Sequence, residues 1–215
     1  MSARLPDGSI VSLATAYSAA KTITAISNAN PGVVTAAAHG FANGDLAVHT
    51  SGWSNLNNKV VRVAGAVSGA YNLDGIDTTS TTLYPAGSGA GSAQSITAWT
   101  QITQIMDFQT SGGDQQFTNF SFLEQNFETQ IPTVTSAMSI SIGIADDPSL
   151  SGYIALKAAA DQRAIRALRL QLPDGSFILY NGYVSFNETP TVTKGQVMQV
   201  KATLSLLARP VRYAS

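Results

Sequence analysis

The stretch Met138–Ile144 has the sequence Met-Ser-Ile-Ser-Ile-Gly-Ile. Its apolar residues alternate with Ser and Gly, and this two-residue period predicts a β-strand with one buried face. Further along, Ala164–Leu172 and Ser176–Phe186 flank the turn sequence Pro173-Asp174-Gly175. Pro fixes φ at the first turn position and Gly accepts the positive φ that follows, so this segment predicts a β-hairpin. Both signals indicate a mostly-β chain.

Other strand signals lie on both sides of these two. The sequence Leu-Pro-Asp-Gly-Ser occurs a second time at Leu5–Ser9, where it predicts a hairpin at the N-terminus. Gln196–Leu207 predicts a long final strand. Short apolar runs between turn residues predict four more strands, at Val33–Thr35, Leu46–His49, Val60–Val63 and Tyr71–Leu73.

One helix is predicted, over Pro148–Gln162. Pro148 suits the first helical position, and Asp147 before it is a candidate N-cap. Apolar and long side chains recur at helical spacing in this segment, at Leu150, Tyr153, Ile154 and Lys157. We expect the helix to cover one open face of a sheet.

A change in composition predicts two domains. The segment from Lys21 to Ala98 has few charged residues, and the run Ala86–Ala93 near its end is rich in Gly, Ser and Ala and is expected to be flexible. We expect residues 21–98 to be a small all-β domain inserted into a larger β domain, which residues 1–20 and 99–215 form.

Charged residues are scarce and unevenly distributed. They make up 12% of the chain, against about 25% in an average globular domain. No Lys or Arg occurs between Val63 and Leu156, whereas bases dominate after Leu156. Either this pattern is a chance result in a charge-poor chain, or separate faces carry opposite charge, which suits head-to-tail association of identical copies or a passage lined by one sign of charge. The net charge of −1 argues against a basic nucleic-acid-binding protein.

Candidate catalytic and metal-binding motifs are weak. The spacing of His39, Asp45 and His49 fits neither a helical His pair nor a zinc finger, and the chain has no Cys. Gly87–Gly91 resembles a phosphate loop but lacks the Lys-Ser/Thr pair that would follow. Asp146-Asp147 is more typical of a helix start than of an acid–base pair. We therefore predict no enzyme, no catalytic residue, no cofactor, no metal and no membrane span.

One third of the chain carries a set of short motifs between Lys21 and Ala93. They are Ile23–Ile26, Asn30–Thr35, His39–Phe41, Gly44-Asp45, Leu56-Asn57, Val60–Val63, Leu73–Thr79 and Tyr84. This segment resembles the small β repeat of phage virion proteins that is related to the first catalytic-cysteine half-domain of ubiquitin-activating enzymes (FCCH-like). The resemblance implies a β-barrel-like decoration that projects outward, without ubiquitin chemistry.

The order of elements in residues 1–20 and 99–215 carries a second resemblance. An N-terminal arm and strand precede a long polar hairpin through Ser111–Asp114 and the strand Val134–Ile144. The helix, the hairpin containing Tyr180–Val184 and a long strand after Thr193–Gly195 complete the order. This order resembles the major tail tube protein of long-tailed, non-contractile phages (siphoviruses). It implies a tail-tube-type β-sandwich or barrel with one flanking α-helix.

The second resemblance also implies a structural role in the virion. Six copies would close into a ring, assembled in the host cytoplasm, and rings would stack into a hollow tail tube. The tube would surround the tape measure protein, end at the tail terminator and distal tail proteins, and conduct DNA without sequence-specific binding. An acidic channel would keep DNA phosphates from adhering. The alternative function is an adhesin-like or surface-decorating protein whose inserted domain contacts host glycans.

The loop Gln109–Gln130 is the predicted ring-to-ring contact. Its aromatic and acidic side chains are the candidate contact residues: Asp114, Phe117, Phe120, Phe122, Glu124 and Glu128.

Overall fold

The computed structural model describes residues 6–214, which fold into sixteen strands and one helix. In chain order these are β1 (Ile10–Tyr17), β2 (Lys21–Ile23), β3 (Ala25–Ile26), β4 (Val33–Thr35), β5 (Leu46–Ser51), β6 (Lys59–Val67), β7 (Ala70–Leu73), β8 (Gly91–Ile102), β9 (Ile105–Ser111), β10 (Gln115–Phe120), β11 (Thr129–Thr135), β12 (Ser139–Ala145), α1 (Ser151–Asp161), β13 (Ile165–Gln171), β14 (Phe177–Thr191), β15 (Gln199–Leu206) and β16 (Val211–Tyr213). The prediction of a mostly-β chain with one flanking helix is confirmed.

The main sheet curls into a half barrel. Its seven body strands follow the order β8-β1-β13-β14-β15-β12-β9. The first and last strands of this order, β8 and β9, are separated in sequence only by Thr103 and Gln104. Because three Cα–Cα steps from Ile102 to Ile105 span at most about 11 Å, the sheet must bend until these two strands approach each other at that end.

Helix α1 closes the open side of the half barrel. It packs against β14, β8 and β1, and its Tyr153 and Leu156 belong to the same buried cluster as β12. The isoleucines that alternate along β12 are all buried, at positions 140, 142 and 144. The period-two prediction for this strand is therefore confirmed, and the apolar face points toward the helix.

Gly152 sets the distance between α1 and β8. A Cβ at this position would lie 2.8 Å from both the carbonyl oxygen of Gln101 and the Cα of Ile102. We expect Gly152→Ala to reduce the free energy of unfolding by about 1–3 kcal/mol, because neither backbone atom can move away easily. Urea denaturation measures this loss. Ser151→Ala is the matched control, since Ser151 is exposed; an equal loss in both variants would contradict the packing argument.

The helix begins later than the sequence predicts. Its first residue is Ser151, with Leu150 at the N-cap in an extended conformation and without a side-chain cap. The carboxylate of Asp147 accepts hydrogen bonds from Ser149, at 3.0 Å from the backbone N–H and 2.6 Å from Oγ. Asp147 therefore closes a local turn before the helix instead of capping it, and the predicted cap and the start at Pro148 are wrong.

The two copies of the Pro-Asp-Gly turn have different roles. The turn before Ser176 joins β13 to β14 as predicted, with Gly175 at φ +83°. The turn before β1 is formed as well, because the Ser9 N–H donates to the Pro6 carbonyl at 3.0 Å. However, β1 pairs with β13 along one edge and with β8 along the other. The predicted N-terminal hairpin with β1 is therefore wrong, because both edges of β1 are already paired. Leu5, the first residue of that prediction, lies outside the described residues.

The predicted hairpin through Ser111–Asp114 is also wrong, and the predicted strand Val134–Ile144 is interrupted, because residues 134–135 end β11 and residues 139–144 belong to β12. β9 pairs with β12, whereas β10 pairs with β11. The chain leaves the main sheet at Gly112 and Gly113, both with positive φ, and returns through residues 136–138. The C-terminal strand signal corresponds to β15, but it is not the final strand, because β16 follows and pairs with β14.

Residues 21–98 contribute a second hydrophobic core. Their four predicted strands are confirmed as β4–β7, and buried Trp53, Tyr71 and Leu73 pack at the centre. The end of the Ala86–Ala93 run is held in place, because Ser51 Oγ donates to the Gly89 carbonyl at 3.1 Å and Gly91–Ala93 belong to β8; the expected flexibility of the run as a whole stays a prediction. A Cβ at Gly89 would lie 3.0 Å from the indole of Trp53, so glycine at this position lets the chain pass close to the ring.

A third cluster joins the two cores. It combines Leu46 and Val60 with residues of β1, β13, β14 and β16. Within it the Tyr213 hydroxyl accepts a hydrogen bond from the Arg62 N–H at 2.9 Å and donates to the Asp74 carbonyl at 3.0 Å. The 21–98 segment is therefore packed firmly against the body of the half barrel.

Candidate functional site

The most exposed apolar surface lies on the hairpin of β10 and β11, residues 114–136, which we call the ribbon. Its two strands pair only with each other within residues 6–214. At its base the Ser136 N–H donates to the Asp114 carbonyl at 2.9 Å, and Arg209 donates to Thr135 Oγ1 at 2.7 Å. None of the hydrophobic clusters of the described chain includes a ribbon residue.

All six predicted contact residues lie on the ribbon. Asp114 is at its base, and the others lie on β10 or in the connection between β10 and β11, residues 121–128, which we call the ribbon tip. The rings of Phe120 and Phe122 meet edge to face at 5.6 Å between centroids. Asn119 Nδ2 donates to the carboxylate of Glu128 at 3.2 Å.

Sequence reasoning missed four apolar residues of the ribbon. Leu123 is fully exposed and Phe127 is 79% exposed at the tip, and Ile131 and Val134 are exposed on β11. Their signal was present in the sequence, since each is a large apolar residue in a polar segment that predicts no buried face. An apolar patch of this kind marks a surface that a partner covers, and a lone two-stranded hairpin is only marginally stable in water.

The open face of β9, β12, β15 and β14 forms a second distinctive surface, which we call the polar face. Cross-strand register places on it the side chains opposite to the buried isoleucines of β12. Its members are Asp107, Gln109, Ser111, Ser139, Ser141, Gly143, Tyr183, Ser185, Asn187, Gln199, Lys201, Thr203 and Ser205. The two charged residues of this face, Asp107 and Lys201, have opposite signs. Both lie beside Gly143, on the two strands that flank β12.

Strand β9 leaves a hydrogen-bonding edge open. It pairs with β12 on one side, and no strand among residues 6–214 pairs with its other side. A strand edge with unpaired N–H and C=O groups is a template for pairing with another chain. The open edge borders the polar face and leads directly into the ribbon.

The candidate metal residues have structural roles. His49 is fully buried; its Nδ1 donates to the Ala47 carbonyl at 3.1 Å, and its Nε2 accepts from the Tyr71 hydroxyl at 3.0 Å. Burial lowers the pKa of the His49 imidazole to about 4. His39 accepts a hydrogen bond from the Phe41 N–H through Nδ1, so its Nε2 donates to the Val67 carbonyl at 2.7 Å.

Asp45 is likewise used locally, since its carboxylate accepts a hydrogen bond from the Ala42 N–H at 2.9 Å. Over residues 6–214, no group of three or more His, Cys, Asp or Glu side chains is placed to bind a metal. The single helix of this part of the chain is too short and too polar to cross a membrane.

Similarity to known proteins covers the part of the chain that carries these surfaces. No curated protein matches the sequence. The family model described as phage tail tube protein matches residues 51–215, more than half of the chain. The match includes the ribbon, the polar face and the open edge of β9, and it begins at the last residue of β5. The chain therefore belongs to the phage tail tube protein family, the structural proteins of the virion tail tube.

Proposed function

We propose that six copies of the chain close into a ring and that rings stack into the hollow tail tube of a long-tailed, non-contractile phage. The observation that carries the proposal is the ribbon, which presents exposed Phe122, Leu123 and Phe127 on a hairpin that the rest of residues 6–214 leaves uncovered. A charge-poor surface fits the same role, because the cores of protein interfaces are depleted in charged residues.

The open edge of β9 supports closure of the ring. An edge strand extends a sheet by pairing its free N–H and C=O groups with a strand of a neighbour. When the neighbour contributes a strand other than its own β9, the contact is heterologous, and rotation about one axis closes heterologous contacts into a ring. In this arrangement the sheets of six copies form one continuous wall around a central channel.

We assign the polar face to the channel. Its Ser, Thr, Asn and Gln side chains stay hydrated, and apart from the exposed ring of Tyr183 they offer a moving polyanion neither an apolar surface nor a run of cations. Asp107 and Lys201 balance each other, so this proposal replaces the acidic channel expected from the sequence with a nearly neutral one. The other acids between Val63 and Leu156 lie elsewhere: two in the 21–98 segment, three on the ribbon and two just before α1, as Asp74, Asp77, Asp114, Glu124, Glu128, Asp146 and Asp147.

The proposed tube implies which other proteins the chain contacts. The channel would hold the tape measure protein before it conducts DNA, and the two tube ends would meet the tail terminator and distal tail proteins. Assembly would take place in the host cytoplasm. The role is structural and involves no catalysis.

We further propose that residues 21–98 are an inserted, FCCH-like unit that projects from the outside of the tube. Its own hydrophobic core supports a separate unit. It also joins the sheet through β5 and β8, at the end of the strand order opposite to β9. An addition at that end leaves the polar face and the ribbon free. Contact of this unit with host glycans, the alternative function, stays a prediction.

Negative-stain electron microscopy of the purified chain tests the proposal. We expect rings with sixfold symmetry at low concentration and hollow tubes at high concentration. Analytical ultracentrifugation under the same conditions gives the mass of the smallest ring. A chain that stays monomeric at every concentration would contradict the proposed function.

A further inference from the structure

A second exposed apolar surface lies far from the ribbon, in the connection between β14 and β15. We call residues 192–198 the far turn. Val192 is 76% exposed and Val197 is 59% exposed, and Met198 beside them is also exposed. Lys194 is the single charged residue between Thr189 and Val200.

The ribbon and the far turn leave the main sheet at opposite ends. The ribbon joins the sheet just before Ser139, and Ser139 pairs with Ser205. The far turn joins it just before Gln199, which pairs with Ala145 at the other end of β12. Seven residues of extended strand separate the two attachment points by about 20 Å. A copy displaced along the strand direction therefore brings its ribbon toward the far turn of the copy ahead.

The two surfaces are matched in chemistry. The ribbon tip offers Phe122, Leu123 and Phe127 with two acids, Glu124 and Glu128. The far turn offers three apolar side chains with one base, Lys194. Contact between two ribbon tips would instead place acids against acids, which like-charge repulsion disfavours. It would also be isologous and would stop at a dimer.

The charged residues near the far turn leave Lys194 free to pair with an acid of another copy. The Asp146 N–H donates to the Met198 carbonyl at 3.0 Å, so Asp146 borders the turn, but its carboxylate forms no ion pair with Lys194. Lys157 and Glu188 form an ion pair with each other at 2.7 Å. Lys194 forms no ion pair with any residue of the described chain.

We propose that the ribbon tip of one copy docks on the far turn of the next copy, with Glu124 facing Lys194 and the apolar side chains buried between them. The proposal rests on the proposed stacking of rings and names the surface that receives the ribbon. The contact is heterologous and leaves a free ribbon at one end of every stack and a free far turn at the other, so it continues without closing.

Cysteine crosslinking tests the docking directly, because the chain has no Cys of its own. Leu123→Cys and Val197→Cys combined in one chain, treated with a short bis-maleimide after assembly, should give a ladder of covalent multimers. Leu123→Cys alone should give no ladder and no dimer. Both substituted residues are exposed, so we expect each variant to fold, and circular dichroism checks this.

Charge reversal provides a second readout. Glu124→Lys and Lys194→Glu should each raise the critical concentration for tube formation about tenfold or more, and the double variant should restore it. Tubes of the double-cysteine variant without a ladder, or dimers with Leu123→Cys alone, would overturn the docking proposal and leave the tube intact. A wild-type chain that forms no tubes would overturn the proposed function itself.

Discussion

Replacing Phe122, Leu123 and Phe127 together with Ser is expected to abolish tube formation. Burial of one large apolar side chain stabilises an interface by about 1.5–3 kcal/mol, so three such losses weaken each ring-to-ring contact by about 5 kcal/mol, more than a thousandfold. The free energy of unfolding should change by less than about 0.5 kcal/mol, because these side chains lie outside every core cluster. Sedimentation of assembled protein and urea denaturation measure the two quantities separately.

The matched control uses exposed apolar residues away from the ribbon. Val67, Leu83 and Ile154 are 54–64% exposed, and replacing all three with Ser should leave tube formation unchanged. If the ribbon variant still formed tubes at the wild-type concentration, the ribbon would not be the ring-to-ring contact. Loss of tubes in both triple variants would show that surface hydrophobicity in general, and no particular surface, drives association.

Acidification is expected to destabilise the fold by about 3 kcal/mol between pH 6.5 and pH 4 through one buried group, His49. Burial lowers the pKa of this imidazole from 6.5 to about 4 in the folded chain. Between these two values the unfolded chain binds a proton that the folded chain does not. The stabilising contribution is therefore complete above pH 6.5 and is lost as the pH falls through the folded pKa. Urea denaturation at intervals of half a pH unit, followed by tryptophan fluorescence, measures it.

A neutral substitution isolates the histidine. His49→Gln should be less stable than the wild type at pH 7, and its free energy of unfolding should change much less over the same pH range. His39→Gln is the matched control and should retain the pH dependence that His49 causes. A wild-type profile that is flat between pH 6.5 and pH 4 would show that the imidazole is not buried in solution as it is in the structure.

Local signals in the sequence predict much of this fold. The alternation of Ile140, Ile142 and Ile144 marks a strand because burial of one sheet face needs only a two-residue period. Pro173–Gly175 marks a turn because its backbone preferences do not depend on distant residues. The four short strands between Val33 and Leu73 are also predicted by a local signal, short apolar runs between turn residues, and all four are present in the structure.

Pairing between distant residues accounts for the errors. Gly112-Gly113 has the composition of a hairpin turn, yet the chain crosses there from β9 to the ribbon, because β9 finds its partner in β12. No local property of the glycines identifies that partner. The predicted helix cap at Asp147 is wrong because the carboxylate of Asp147 accepts hydrogen bonds from Ser149 and does not cap the first turn of α1. The six predicted contact residues do lie on one hairpin, although its register and its most exposed residue, Leu123, needed the structure.

Strand β8 gives the chain an uncommon mechanical continuity. Its first residues pair with β2 and β5, and its last residues pair with β1 of the half barrel. A pulling force on the 21–98 segment therefore enters the body along one unbroken strand, with no hinge between them. Such a force loads the hydrogen bonds of β8 and β1 in shear, so that several must break together before the segment can detach. In the proposed tube, a 21–98 segment that projects outward would therefore transmit tension to the tube wall and would not swing on a tether.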